Sequence, residues 1–269
     1  MNKMTFIGAG SMAEALIAGM VARNFSPSVI TVTNRTNKQR LIELKEKYGI
    51  QVEQDSQQAL QQATIIVLAI KPKDAQTVLE QIKPFLNKEI LILSVMAGIS
   101  TQYIEQILEL DIAVVRAMPN TSAMIGLSAT AIAKGQFANQ DHVEMATQLF
   151  VTVGVVELLK EQEIDIATAI AGSGPAYFYY IVEAMETKAK ELGLAEGSAK
   201  RLINQTLLGA AAMLTKSSDS PAELRKKITS PKGTTEAGIH ALAAAEVDQA
   251  IKEAIQAAYQ RSVALGHTK

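Results

Sequence analysis

Gly8-Ala9-Gly10-Ser11-Met12-Ala13 stands between an apolar run and the start of an amphipathic segment. Two glycines spaced by one residue, with a small residue three positions on, suit a strand-to-helix turn that meets a pyrophosphate. On this pattern Gly8 makes the turn, Gly10 lets the backbone approach the phosphates, and Ala13 allows close helix-on-strand packing. The helix opening there offers free N–H groups and the positive end of its dipole. Ile7, Ala9, Ser11 and Met12 complete the segment expected to bind the nucleotide.

The next strand end carries Asn34-Arg35-Thr36 with Lys38 nearby, where an NAD site would place Asp or Glu to hold the adenosine ribose. An amide, a guanidinium, a hydroxyl and an ammonium suit a 2′-phosphate instead, and Arg35 can bond it bidentately. NADPH is therefore the expected cofactor, with NADH as a second possible donor. Ala69-Ile70-Lys71-Pro72 ends another strand, where open α/β sheets bind ligands, and Pro72 biases Lys71 toward extended backbone. Met96-Ala97-Gly98-Ile99-Ser100 and Met118-Pro119-Asn120-Thr121 end two more strands. Ala97, Gly98 and Asn120 are expected at the nicotinamide and substrate side of the pocket, although turn chemistry explains such residues equally well.

Other chemistries lack their residues. The chain has no cysteine and three scattered histidines, so it offers no thiolate metal site, disulfide or thiol nucleophile. No Ser-His-Asp set belongs to a nucleophile elbow, and no P-loop or His-Glu-x-x-His motif occurs. Hydride transfer remains, in which the dinucleotide does the hard chemistry and the protein aligns the acceptor.

The elements that must position these residues read as two domains. Strand-like runs at Met4 to Ile7, Val29 to Thr33, Ile65 to Ile70, Ile90 to Val95, Ile112 to Ala117, Leu127 to Ala133 and Val153 to Glu157 alternate with helix-like segments. Those helices are expected at Met12 to Asn24, Lys38 to Tyr48, Asp74 to Leu86 and Asp141 to Val151. The alternation predicts an α/β fold, a Rossmann-type doubly wound and mostly parallel sheet over residues 1–162. Residues 163–269 read as all-helical, with helices at Pro175 to Leu192, Ser198 to Leu214, Pro221 to Ile228, Thr235 to Ala245 and Val247 to Leu265. Gly193 and Gly266 are expected just past two of their ends.

Small-residue tracts in that half, such as Gly209-Ala210-Ala211-Ala212, fit either a tight single-chain bundle or a homodimer interface. The dimer is the expectation taken, since a helical half with few aromatics buries its apolar faces better against a second copy; a higher oligomer is compatible. A net charge of −1 gives no general attraction to nucleic acid or an anionic membrane. No targeting segment or membrane span is read, so a cytoplasmic location is expected.

The discriminating motif is Ile228-Thr229-Ser230-Pro231-Lys232-Gly233-Thr234-Thr235-Glu236-Ala237-Gly238-Ile239, preceded by Pro221-Ala222-Glu223-Leu224. From the residues, Pro231 and Gly233 shape a loop that enters a helix, leaving the N–H groups of Gly233, Thr234 and Thr235 for a carboxylate. Thr235 could aim its hydroxyl at a substrate nitrogen; helix capping by Thr234 and Thr235 is the plainer use. The stretch resembles the signature of pyrroline-5-carboxylate reductases, as do Gly172-Ser173-Gly174-Pro175-Ala176-Tyr177 and Ala69-Ile70-Lys71-Pro72. The likeness extends over essentially the whole chain. One departure is Lys232, where family members often have glycine.

The resemblance implies that NADPH delivers hydride to the C=N carbon of 1-pyrroline-5-carboxylate, giving L-proline. It implies Thr235 as the catalytic residue at the ring nitrogen, with Asn120, Ser173, Gly174, Gly233 and Thr234 around the substrate and no metal. His240, one turn beyond Thr235, is left outside the site. The four aromatics Tyr177 to Tyr180 are expected mostly in the core or between domains. One rival, a β-hydroxyacid dehydrogenase, would need a lysine and, one turn later, an asparagine after the domain junction; here no lysine precedes Lys188 on that helix. Reduction of a different imine is a second rival, and a degenerate nicotinamide-binding regulator is a third. A regulator would be expected to lose the Thr-Thr loop, which this chain keeps.

Overall fold

The structure is a computed structural model and describes residues 2–267. Its strands are β1 (Met4–Ile7), β2 (Ile30–Thr33), β3 (Gln51–Glu53), β4 (Ile65–Leu68), β5 (Leu91–Ser94), β6 (Ala113–Met118), β7 (Ser128–Lys134) and β8 (Gly154–Leu158). They form one sheet in the order β3-β2-β1-β4-β5-β6-β7-β8. Among the described residues only β6 and β7 pair antiparallel. The link between them is a short 3₁₀ turn at Thr121–Ile125, too brief for the crossover that parallel neighbours require.

Successive strand residues point to opposite faces, and both faces are apolar, so both must be covered. Phe6, Val67, Leu93 and Val115 pack on one side with α1 (Ser11–Ala22), α2 (Lys38–Tyr48) and, later in the chain, α6 (Gln140–Phe150). Ile7, Ile66, Ile92 and Val114 pack on the other with α3 (Ser56–Leu60), α4 (Ala75–Ile82) and α5 (Thr101–Leu108). This is the doubly wound, mostly parallel sheet expected from the alternation. The helix expected over Asp74 to Leu86 is shorter than predicted: Pro84 cannot continue an α-helix, and Lys83–Phe85 tightens to 3₁₀.

After β8 the chain is helical: α7 (Ile164–Ala167), a π-type turn at Thr168–Gly172, α8 (Gly174–Glu191), α9 (Glu196–Lys216), α10 (Pro221–Lys227), α11 (Thr234–Ala244) and α12 (Val247–His267). Two compact units divide the chain: residues 2–175 with 257–267, and Ala176–Gln256.

In the first unit, the end of α12 packs against the loop after β5. Gly98 has φ +73°, and a Cβ there would sit 2.7 Å from the Cβ of Leu265. Gly266, expected beyond the last helix, lies inside α12 and is kept small because a Cβ would meet the Gly98 carbonyl oxygen at 2.6 Å. Arg116, in the middle of the sheet and 2% exposed, ion-pairs with Glu161 at 2.9 Å and Asp165 at 3.0 Å. Ser262 of α12 donates to the same Asp165 oxygen at 2.8 Å.

The second unit has little interior. Among its described residues only Ala199 and Ile203 are buried, while Leu202, Leu208, Met213 and Leu242 are exposed. Phe178, Tyr179 and Tyr180 are exposed as well, so they do not build a core within this unit. So much uncovered apolar surface on helices calls for a further partner surface.

Candidate functional site

A cleft of about 520 Å³ opens at the carboxyl ends of β1, β2 and β4, where the chain crosses from one face of the sheet to the other. Ile7, Gly8, Ala9 and Gly10 form one wall, Thr33, Asn34, Arg35 and Thr36 a second, and Ala69, Ile70 and Lys71 a third. The two glycines of the motif act differently. Gly8 takes φ +109°, and a Cβ there would collide with the carbonyl oxygen of Ala69, so only glycine lets β1 and β4 close up. At Gly10 a Cβ would meet nothing within 4 Å, so that wall is left open for a ligand.

Gly10 caps α1 without any side-chain hydrogen bond. Among the described residues the N–H groups of Gly10 and Ser11 find no acceptor. Asn34 shapes the facing turn, its Oδ1 accepting from the N–H of Thr36 at 3.1 Å and of Asn37 at 3.2 Å. Arg35 is exposed and forms no ion pair among the described residues. Lys71 is extended, at φ −70° and ψ 139°, as expected before Pro72. The cleft thus carries Arg35, Lys71 and Lys73 against the single carboxylate of Asp74, a balance that suits phosphates. Ser11, Met12, Pro72, Ala97 and Gly98 do not line it. Ser56, Lys73, Thr77 and Gln81 do, although none of them belongs to a motif.

Beneath the glycine loop, Glu14 of α1 ion-pairs with Arg40 of α2, lies 3.0 Å from Lys47 and accepts from the Tyr48 hydroxyl at 2.9 Å. The Arg40 guanidinium holds the Glu14 carboxyl down at about 2, from an ordinary 4.5.

Two residues beyond the end of β6, Asn120 is buried and bonded at both ends of its amide. Its Nδ2 donates to the Ala171 carbonyl at 3.0 Å and its Oδ1 accepts from the Ser122 N–H at 3.1 Å, fixing the π-type turn to the end of β6. Ser173 follows that turn, its N–H bonded to the Thr168 carbonyl, and Gly174 opens α8.

In the second unit the signature loop leads into α11 much as expected, with two differences. The Gly233 N–H is not free: it donates to the Ser230 carbonyl at 3.0 Å. Thr234 and Thr235 do not cap the helix, because the N-cap is Gly233 and no side chain bonds there. The N–H groups of Thr234 and Thr235 and the Thr235 hydroxyl have no partner among the described residues. Threonines within helices elsewhere, such as Thr187 and Thr215, donate instead to the carbonyl four residues back. Lys232 sits at φ +60°, the left-handed region that explains a preference for glycine there.

Comparison with known proteins covers both halves. Residues 161–265 match the family model for pyrroline-5-carboxylate reductase dimerisation, and residues 3–98 match that for NADP oxidoreductase, coenzyme F420-dependent. The pyrroline-5-carboxylate reductase 1 of Bacillus spizizenii is 48% identical over 97% of this chain and 88% of that protein. A solved pyrroline-5-carboxylate reductase from Coxiella burnetii aligns with TM-score 0.92 at 36% identity, covering 99% of each chain. A pyrroline carboxylate reductase from Plasmodium falciparum, solved with NADP bound, aligns with TM-score 0.90 at 28% identity over 98% of each chain.

Proposed function

This chain belongs to the pyrroline-5-carboxylate reductase family, and we propose on that premise that it reduces 1-pyrroline-5-carboxylate to L-proline with NADPH in preference to NADH. The observation that carries the assignment of the site is the signature loop: in a member of this family, the first turn of α11 keeps two backbone N–H groups and the Thr235 hydroxyl unpartnered among the described residues.

The cofactor's diphosphate is assigned to Ile7, Gly8, Ala9, Gly10, Ser11 and Met12, and its 2′-phosphate to Asn34 and Arg35. The open space at Gly10, the unpaired first-turn N–H groups and the cationic balance of the cleft support this. Ala69, Ile70, Lys71, Pro72, Ala97 and Gly98 are assigned along the nicotinamide half. When bound, the nicotinamide supplies a hydride to the C=N carbon.

The residues of this chain do the rest. The substrate carboxylate is held by the Thr234 and Thr235 N–H groups at the positive end of α11, next to Gly233. Thr235 is the catalytic residue: its hydroxyl donates a hydrogen bond to the lone pair of the imine nitrogen and steadies the negative charge that develops there as hydride reaches the C=N carbon. The ring nitrogen's proton comes from solvent, so no strong protein acid is required. Asn120, Ser173 and Gly174 are assigned to the floor of the substrate pocket, Asn120 by holding the turn that precedes Ser173.

The functional division is proposed at residue 162, with the dimerisation match beginning at 161 in support. The exposed apolar faces of α8 and α9 support a homodimer through the helical half. The absence of cysteine and of any helix long and apolar enough to cross a membrane among the described residues supports a cytoplasmic setting. No nucleic-acid partner belongs to the proposal. The test is NADPH oxidation by the purified protein with 1-pyrroline-5-carboxylate, together with its mass in solution. Imine-dependent turnover by a dimer is expected; nucleotide binding without turnover would return the weight to a regulator.

A further inference from the structure

Arg40 belongs to no motif, and it does not line the cleft. It stands on the first turn of α2, where its Nε donates to the Ala9 carbonyl oxygen at 3.1 Å. One of its terminal nitrogens ion-pairs with Glu14 and the other lies 3.4 Å from Glu43. Glu14 is held in turn by Lys47 and Tyr48.

We infer that Arg40 is a positioning residue that sets dinucleotide affinity by fixing the orientation of the Ala9–Gly10 peptide, an inference that rests on the nucleotide assignment above. A trans peptide is planar, and its carbonyl and N–H point opposite ways. Anchoring the Ala9 oxygen on Arg40 therefore turns the Gly10 N–H away from α2 and keeps it available. That N–H has no acceptor among the described residues, and the space beside Gly10 is open. If the carbonyl were released, the peptide could rotate and present an oxygen, rather than an N–H, to a phosphate.

Arg40 is not a phosphate ligand itself. All three of its nitrogens face protein acceptors, and two carboxylates compensate its charge. Arg35 is the uncommitted guanidinium of the cleft. The two arginines therefore divide the work: Arg35 reads what distinguishes NADPH from NADH, whereas Arg40 supports the cradle for the diphosphate that both share.

The test is calorimetric titration of NADPH and of NADH into wild type, Arg40→Met and Arg40→Lys, with kcat, both KM values and Tm for each. Arg40→Met is expected to weaken both nucleotides by the same factor, about tenfold for a lost charge-assisted hydrogen bond. The kcat and the KM for 1-pyrroline-5-carboxylate stay within about twofold in that variant, as expected when only ground-state nucleotide binding is lost. Arg40→Lys, which keeps the charge beside Glu14 but not the fork, is expected to keep Tm and still lose nucleotide affinity, even if Arg40→Met folds poorly. Loss confined to NADPH would make Arg40 a 2′-phosphate ligand and overturn the inference. So would a lowered Tm with unchanged dissociation constants. Wild-type protein that binds neither nucleotide would overturn the cofactor assignment first and this inference with it.

Discussion

Glu236 reaches back from the first turn of α11 to accept the backbone N–H of Lys232 at 2.7 Å. The bond fixes the loop with Lys232 in a left-handed conformation that a side chain disfavours. Lys232→Gly should relieve that strain and stabilise the protein by about 1 kcal/mol, whereas Lys232→Ala should not. Urea denaturation midpoints of the two variants check this, with KM for the imine reporting whether the loop keeps its shape.

Arg35 is expected to carry cofactor choice. Arg35→Ala should raise the KM for NADPH roughly tenfold to a hundredfold, the scale of a charged hydrogen-bond pair, and leave NADH nearly unchanged. Initial rates with each nucleotide measure the ratio.

The Glu14 cluster makes stability depend on acid. The folded value near 2 lies below the ordinary 4.5, so the folded state favours the ionised carboxylate. That contribution is fully present above pH 4.5 and is lost as pH falls through about 2. Glu14→Gln should therefore be less stable than wild type at neutral pH, and the difference should shrink across that window. Denaturant titrations at several pH values resolve it.

Removing the buried guanidinium of Arg116 leaves Glu161 and Asp165 facing each other without a cation. Arg116→Met should cost about 3 kcal/mol in unfolding free energy, the scale of a broken buried ion pair. Thermal unfolding of the variant is the check.

Much of this architecture was legible in the residues. Short, wholly apolar runs such as Ile65–Leu68 announced buried parallel strands, and the glycine spacing placed the cleft at the end of β1. The three-residue edge strand Gln51–Glu53 and the short helices Ser56–Leu60 and Thr101–Leu108 escaped, because too few residues repeat to establish a period. Lys73, Thr77 and Gln81 came to the cleft only through the turn after β4, which lays one face of α4 along it. Arg40 was equally silent: a helix arginine after Lys38 and Gln39 looks solvated until α2 packs beside α1. The capping of α11 also depended on the fold, since Glu236, not a threonine, satisfies the loop backbone.

The most direct measurement is L-proline formed per NADPH consumed, by wild type and by Thr235→Val, with nucleotide binding measured on both. The account predicts one proline per NADPH in wild type. In the variant kcat should fall roughly a hundredfold, the scale of one lost hydrogen-bond donor at a reacting atom, with NADPH affinity unchanged. Equal kcat in the two proteins would contradict the assignment of Thr235, and no proline from wild type would contradict the reaction itself.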